Sequence, residues 1–162
     1  MNAAATTGFS SHYLACAGRE IHYTEWGAQH AETVIAWHGL ARTCRDMDDI
    51  AAHLARAYRV ICPDTIGRGL SEWSPAPERE YCLAFYEQLA VALADQLGLA
   101  QFHWLGTSMG GLIGIGIGYS LSYMKEETVD GRFYTYDESS RRRGGQILFL
   151  SVVMLVVWIA II

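Results

Sequence analysis

The stretch Phe102-His103-Trp104-Leu105-Gly106-Thr107-Ser108-Met109-Gly110-Gly111 decides how this sequence reads. Its first half is a short apolar run ending at Gly106, which suits a strand buried on both faces. Its second half fits G-x-S-x-G, with Gly106 and Gly110 on either side of Ser108. A turn from strand into helix at this point is so tight that side chains at the two glycines would clash. The same turn pushes the serine side chain into the open. A serine hydroxyl at neutral pH is a poor nucleophile until a base takes its proton, so the next question is where a base lies.

Upstream, elements alternate. Glu20 to Trp26 (EIHYTEW) alternates like a half-buried strand and stops at Gly27. Thr33 to Trp37 (TVIAW) and Arg59 to Pro63 (RVICP) are apolar enough for strands buried on both faces. Between them Met47, Ile50, Ala51, Leu54 and Tyr58 recur at helical spacing. Asp46, Asp48 and Asp49 stand near that helix start, where the dipole favours them. Cys82, Tyr86, Leu89, Leu93 and Leu97 mark a second helix, with Gly98 placed to cap it. Strands alternating with helices imply an α/β fold with a mostly parallel sheet and flanking helices.

Beyond about residue 112 this pattern is expected to fail. Gly114, Gly116 and Gly118 stand where a third helix should run, and each costs about 1 kcal/mol against alanine. Their G-x-G-x-G has the wrong spacing and setting for a dinucleotide fingerprint. Residues 115–146 read as an unassigned, linker-like segment, or as holding a hairpin around Asp130-Gly131. The end, ILFLSVVMLVVWIAII (147–162), carries no charge. As a helix it is about 24 Å long, slightly short of a bilayer core, and adding Gly144 to Gln146 brings it near the usual length; it shows no polar face. A C-terminal membrane anchor is therefore expected, with Arg141, Arg142 and Arg143 favouring a cytosolic side before it.

Composition agrees with a globular chain: 162 residues, 51% hydrophobic, 18% charged, net charge −5. Without clustered basic residues no nucleic-acid partner is expected. Cys16, Cys44, Cys62 and Cys82 form no C-x-x-C pair and no zinc spacing, so reduced thiols and no metal are expected. The N-terminus lacks a basic region followed by an apolar core, which argues for a cytoplasmic location.

Two more stretches bear on Ser108. His38-Gly39-Leu40 follows a buried strand, where a loop can aim a backbone N–H at a developing oxyanion, and the Met109 N–H supplies a second donor. Asp64-Thr65-Ile66-Gly67-Arg68-Gly69-Leu70-Ser71 follows the next strand. Its glycines permit a tight loop, and Asp64 can accept from backbone N–H groups within it. Taken in order, HG, then D-x-x-G-x-G-x-S, then G-x-S-x-G-G resembles the N-terminal half of an α/β-hydrolase, from about Tyr13 to Leu112. The resemblance implies Ser108 as catalytic nucleophile and the amides of Leu40 and Met109 as oxyanion hole. It makes His38, Gly39, Asp64, Gly67, Gly69, Ser71, Gly106 and Gly110 structural. It implies a small-molecule substrate and no cofactor. A serine at the elbow, rather than an aspartate, argues against relatives that open epoxides or displace halide. Ester, thioester, lactone and carbon–carbon bond hydrolysis stay open.

The family's order is serine, then acid, then histidine. His12, His22, His30, His38, His53 and His103 all precede Ser108. The expectation is therefore the front half of a hydrolase domain (1–114), catalytically impaired by truncation, frameshift or fusion near Gly114. The alternative is a non-catalytic, membrane-tethered remnant.

Overall fold

The computed structural model describes residues 8–123, 125–128, 131–134, 138 and 141–142. Five strands form one sheet: β1 (Phe9–Cys16), β2 (Arg19–Trp26), β3 (Thr33–Trp37), β4 (Arg59–Pro63) and β5 (His103–Gly106), in the order β1-β2-β4-β3-β5. Four helices accompany it: α1 (Asp48–Leu54), α2 (Pro77–Glu80), α3 (Leu83–Gln96) and α4 (Met109–Tyr123). A 3-10 turn at Cys44–Met47 leads into α1.

The inner strands show why their sequences read so clearly. Along β3, Ile35 and Trp37 enter one apolar cluster while Val34 and Ala36 enter the other. Along β4, Ile61 faces the first cluster and Val60 and Cys62 the second. Period-two strands with both faces covered carry apolar residues at every position. Tyr86, Leu89 and Leu93 of α3, with Ile113 and Ile117 of α4, close the first face. Ala51 of α1, with Met47 and Cys44, closes the second.

The sheet is mixed rather than mostly parallel. β3 runs parallel to β4 and to β5, whereas β1–β2 and β2–β4 are antiparallel. β2 runs against β4, and β1, which the sequence alone does not mark, adds a second antiparallel pairing at the edge. Ala17 (φ +48°) and Gly18 (φ +78°) join β1 to β2 through two left-handed residues. Such a two-residue connection makes an antiparallel hairpin obligatory. A further tie holds this edge: the Arg19 guanidinium donates to Glu80 Oε2 (2.8 Å) and Oε1 (2.6 Å). That contact, with a hydrogen bond from Ser74, holds the Glu80 carboxyl down at about 2.

The helix that the three glycines were expected to disfavour forms nonetheless. α4 runs from Met109 to Tyr123, straight through the three glycines. Ile113 and Ile117 are anchored in the core, and Gly116 faces α3, where a Cβ would meet the tip of the Glu87 side chain. Tertiary packing outweighs weak propensity here. β6 (Lys125–Thr128) and β7 (Gly131–Tyr134) follow as an antiparallel pair with Thr128 opposite Gly131, the hairpin alternative for this segment. Among the described residues no helix is long and apolar enough to cross a membrane, and the anchor expected at 147–162 lies outside them.

Candidate active site

Ser108 stands where β5 gives way to α4, with φ +51°. This is the left-handed region, which a side-chain-bearing residue adopts only under constraint from its surroundings. The constraint is visible in the glycines. A Cβ on Gly106 would lie 2.2 Å from the Gly110 carbonyl carbon, and one on Gly110 would lie 2.3 Å from Trp37 O. The Thr107 N–H donates to Trp37 O (3.0 Å), and the Trp104 indole N–H to Gly110 O (2.9 Å). The ends of β3 and β5 and the start of α4 are thereby locked together, and Ser108 is left exposed on top.

His38, expected to be structural, is fully buried at the end of β3. The Thr65 N–H donates to its Nε2 (3.0 Å), so that nitrogen is unprotonated. The proton sits on Nδ1 and is donated to Gly39 O (2.7 Å). Burial lowers its pKa below the ordinary value, partly offset by the bond to Gly39. With both nitrogens engaged, His38 is no base for Ser108.

Asp64 is the hub of the neighbouring loop. Its Oδ1 accepts from the Cys44 N–H (2.7 Å), and its Oδ2 from the Leu70 N–H (3.0 Å). His22 Nδ1 lies 2.7 Å from the same Oδ2. The Ser71 hydroxyl donates to Asp64 O (2.7 Å) and accepts from the His22 N–H (2.9 Å). Gly67 and Gly69 both have positive φ, and a Cβ on Gly69 would lie 2.1 Å from Asp64 Oδ2. The sequence pointed to the loop but not to His22, whose role depends on β2 lying beside β4. The donor atoms of His22, Cys44 and Asp64 all lie within 4.8 Å of one another. Both Asp64 oxygens are already taken by N–H donors, and burial pushes the Cys44 thiol well up. This chemistry fits a hydrogen-bonded knot better than a metal centre.

Met109 follows Ser108 directly, and Leu40 stands in the loop that follows β3. Gly39, which precedes Leu40, would place a Cβ 3.6 Å from Ser108 Cβ. Among the described residues neither amide donates to a loop or turn carbonyl. Ser108 opens onto a hollow of about 660 Å³, with Gly39 and Thr107 beside it and Arg42, Arg45, Asp46 and Asp48 among the facing residues. Arg45 Nη2 meets Asp48 Oδ2 (2.6 Å), and its guanidinium lies 4.1 Å from the Phe9 ring centre. Arg42 Nε faces Asp46 Oδ2 at 3.3 Å. Burial raises the Asp48 carboxyl pKa, and its Oδ1 is buried with no partner among the described residues. In sequence these aspartates read as dipole partners of a helix; the fold sets Asp46, Asp48 and Asp49 beside the serine.

Among the described residues no histidine lines that hollow. His12 contacts Ser10 and Glu25, His30 contacts the Ala55 carbonyl, and His103 contacts Glu32. His53 is exposed on α1.

Comparison with known proteins bears on the fold. The family model of the alpha/beta hydrolase fold matches residues 32–115. A 3-hydroxybutyrate-oligomer hydrolase of Cupriavidus necator is 40% identical over 118 residues, which is 72% of this chain and 40% of that protein. An alpha/beta hydrolase from Novosphingobium aromaticivorans superposes with TM-score 0.62 at 30% identity, over 69% of this chain and 40% of the other. An epoxide hydrolase from Vigna radiata shares the fold, with TM-score 0.65 at 22% identity, over 72% of this chain and 36% of the other. The chain thus spans well under half the length of each of these relatives. It belongs to the alpha/beta hydrolase fold family.

Proposed function

We propose that this chain carries the nucleophile of a serine ester hydrolase acting on short hydroxy-acid oligoesters. In this reading Ser108 Oγ attacks the ester carbonyl carbon and its proton passes to a base. The carbonyl oxygen takes up negative charge between the Leu40 and Met109 amides. The C–O bond to the alcohol breaks, the alcohol leaves with a proton, and water then hydrolyses the acyl-serine. The observation that carries the reading is the left-handed φ of Ser108, a strained and exposed serine at a strand-to-helix turn. The oligoester substrate is taken over from the relative in Cupriavidus necator, a 3-hydroxybutyrate-oligomer hydrolase. Incubation with a fluorophosphonate and intact-mass analysis tests it. One adduct is expected on Ser108 and none on Ser108→Ala; absence of labelling at millimolar probe would overturn it.

The hollow without a histidine favours a second statement about rate. The chain as it stands acylates slowly, because the elbow and amides alone supply only the residual part of such catalysis. Added imidazole is expected to speed labelling of Ser108; a rate indifferent to imidazole points to a base already in place.

A further inference from the structure

Oligoesters of a hydroxy acid carry a free carboxylate at one end, a few bonds from the last ester carbonyl. An enzyme that cleaves short members must meet that anion near its nucleophile. We infer that Arg42 binds the terminal carboxylate of a short oligoester acid whose ester carbonyl sits at Ser108, a step that rests on the esterase reading above.

The geometry is set by Gly39. A Cβ at this residue would lie 3.6 Å from Ser108 Cβ and 3.8 Å from Arg42 Cγ. The absent side chain is thus flanked by the serine on one side and the arginine stem on the other, and both residues line the same hollow. The Arg42 N–H donates to Gly39 O (3.3 Å), which fixes the stem beside the loop. The Arg42 side chain is 68% exposed, and its Nε faces the Asp46 carboxylate at 3.3 Å. An exposed ion pair of this kind contributes little and yields readily. The two terminal amino groups of the guanidinium form the fork that fits a carboxylate with two parallel hydrogen bonds.

Arg45 lacks this freedom. Its Nη2 is on Asp48 at 2.6 Å and its guanidinium lies over Phe9. Asp46, Asp48 and Asp49 share the hollow, so an anion is repelled wherever Arg42 does not reach it. Favourable contact at one point with repulsion around it selects for the distance between carboxylate and ester, not for negative charge in general.

Calorimetric titration of the full chain with the linear dimer of 3-hydroxybutyrate and with its methyl ester tests this. The free acid is expected to bind about tenfold more tightly than the ester, as for one bidentate charged contact. That ratio falls towards one in Arg42→Ala and is partly restored in Arg42→Lys, which supplies a point charge without the fork. Equal binding of acid and ester, binding of neither, or a preference that survives Arg42→Ala would each overturn the assignment. Failure here is distinguishable from failure of the parent reading. Fluorophosphonate labelling of Ser108 without an acid preference removes the arginine alone. An acid preference without labelling removes the nucleophile alone.

Discussion

At the scale of single residues, the nucleophile role proposed for Ser108 and the stability of its turn oppose each other. Its φ of +51° lies where glycine is at ease and an L side chain costs on the order of 1 kcal/mol. Ser108→Gly is therefore expected to raise the unfolding free energy by about 1 kcal/mol, read from urea midpoints, while abolishing covalent labelling. A variant no more stable than the parent would show that the turn stores no strain. The serine was legible because the glycine spacing that forces the turn is local in sequence. Arg42 and Asp48 were not legible, because they approach Ser108 only when β3 and β5 lie side by side. No short motif records a neighbour made by sheet pairing.

At the scale of elements, α4 tests how propensity and packing divide the control of a helix. Gly116 faces α3, and a Cβ there would lie 1.7 Å from Glu87 Oε1. The clash is with the tip of a flexible chain, and burial already raises the Glu87 pKa, so its carboxylate gains by moving towards water. Gly116→Ala is expected to stabilise the chain by up to about 1 kcal/mol, the helix propensity difference. Thermal unfolding checks it; a fall in Tm would mean that α3 cannot give way. This balance also explains where the sequence misled. Glycine counting could not see the anchors Ile113 and Ile117, which are buried in the core. β3 and β4 were legible because burial on both faces leaves polar residues only at their first positions, Thr33 and Arg59. β1 was not, because most of its residues are exposed at the sheet edge and its turn begins with Ala17, an unusual residue at positive φ.

At the scale of the whole molecule, His38 joins the parts that make the site. It ends β3 and bonds through Nε2 to the Thr65 N–H just after β4, while its Nδ1–H holds the carbonyl of Gly39 beside Ser108. Protonation would place a second N–H against the Thr65 donor, so the fold requires the neutral ring. Burial accordingly lowers its pKa from the ordinary 6.5. The sign of the linkage follows. Below pH 6.5 the unfolded chain binds a proton at this position that the folded chain refuses. The contribution of His38 is thus complete above 6.5 and is lost as the pH falls below it. Urea midpoints measured from pH 8 to pH 5 are expected to decline over that lower range. In His38→Gln, which keeps an acceptor but cannot titrate, stability at pH 8 should drop by about 1–3 kcal/mol for the disturbed buried bonds. The part of the decline due to His38 should vanish in that variant, so its curve runs flatter than the parent's. If the two curves run parallel from pH 8 to pH 5, the ring is not held neutral and the loop beside Ser108 is secured by something else.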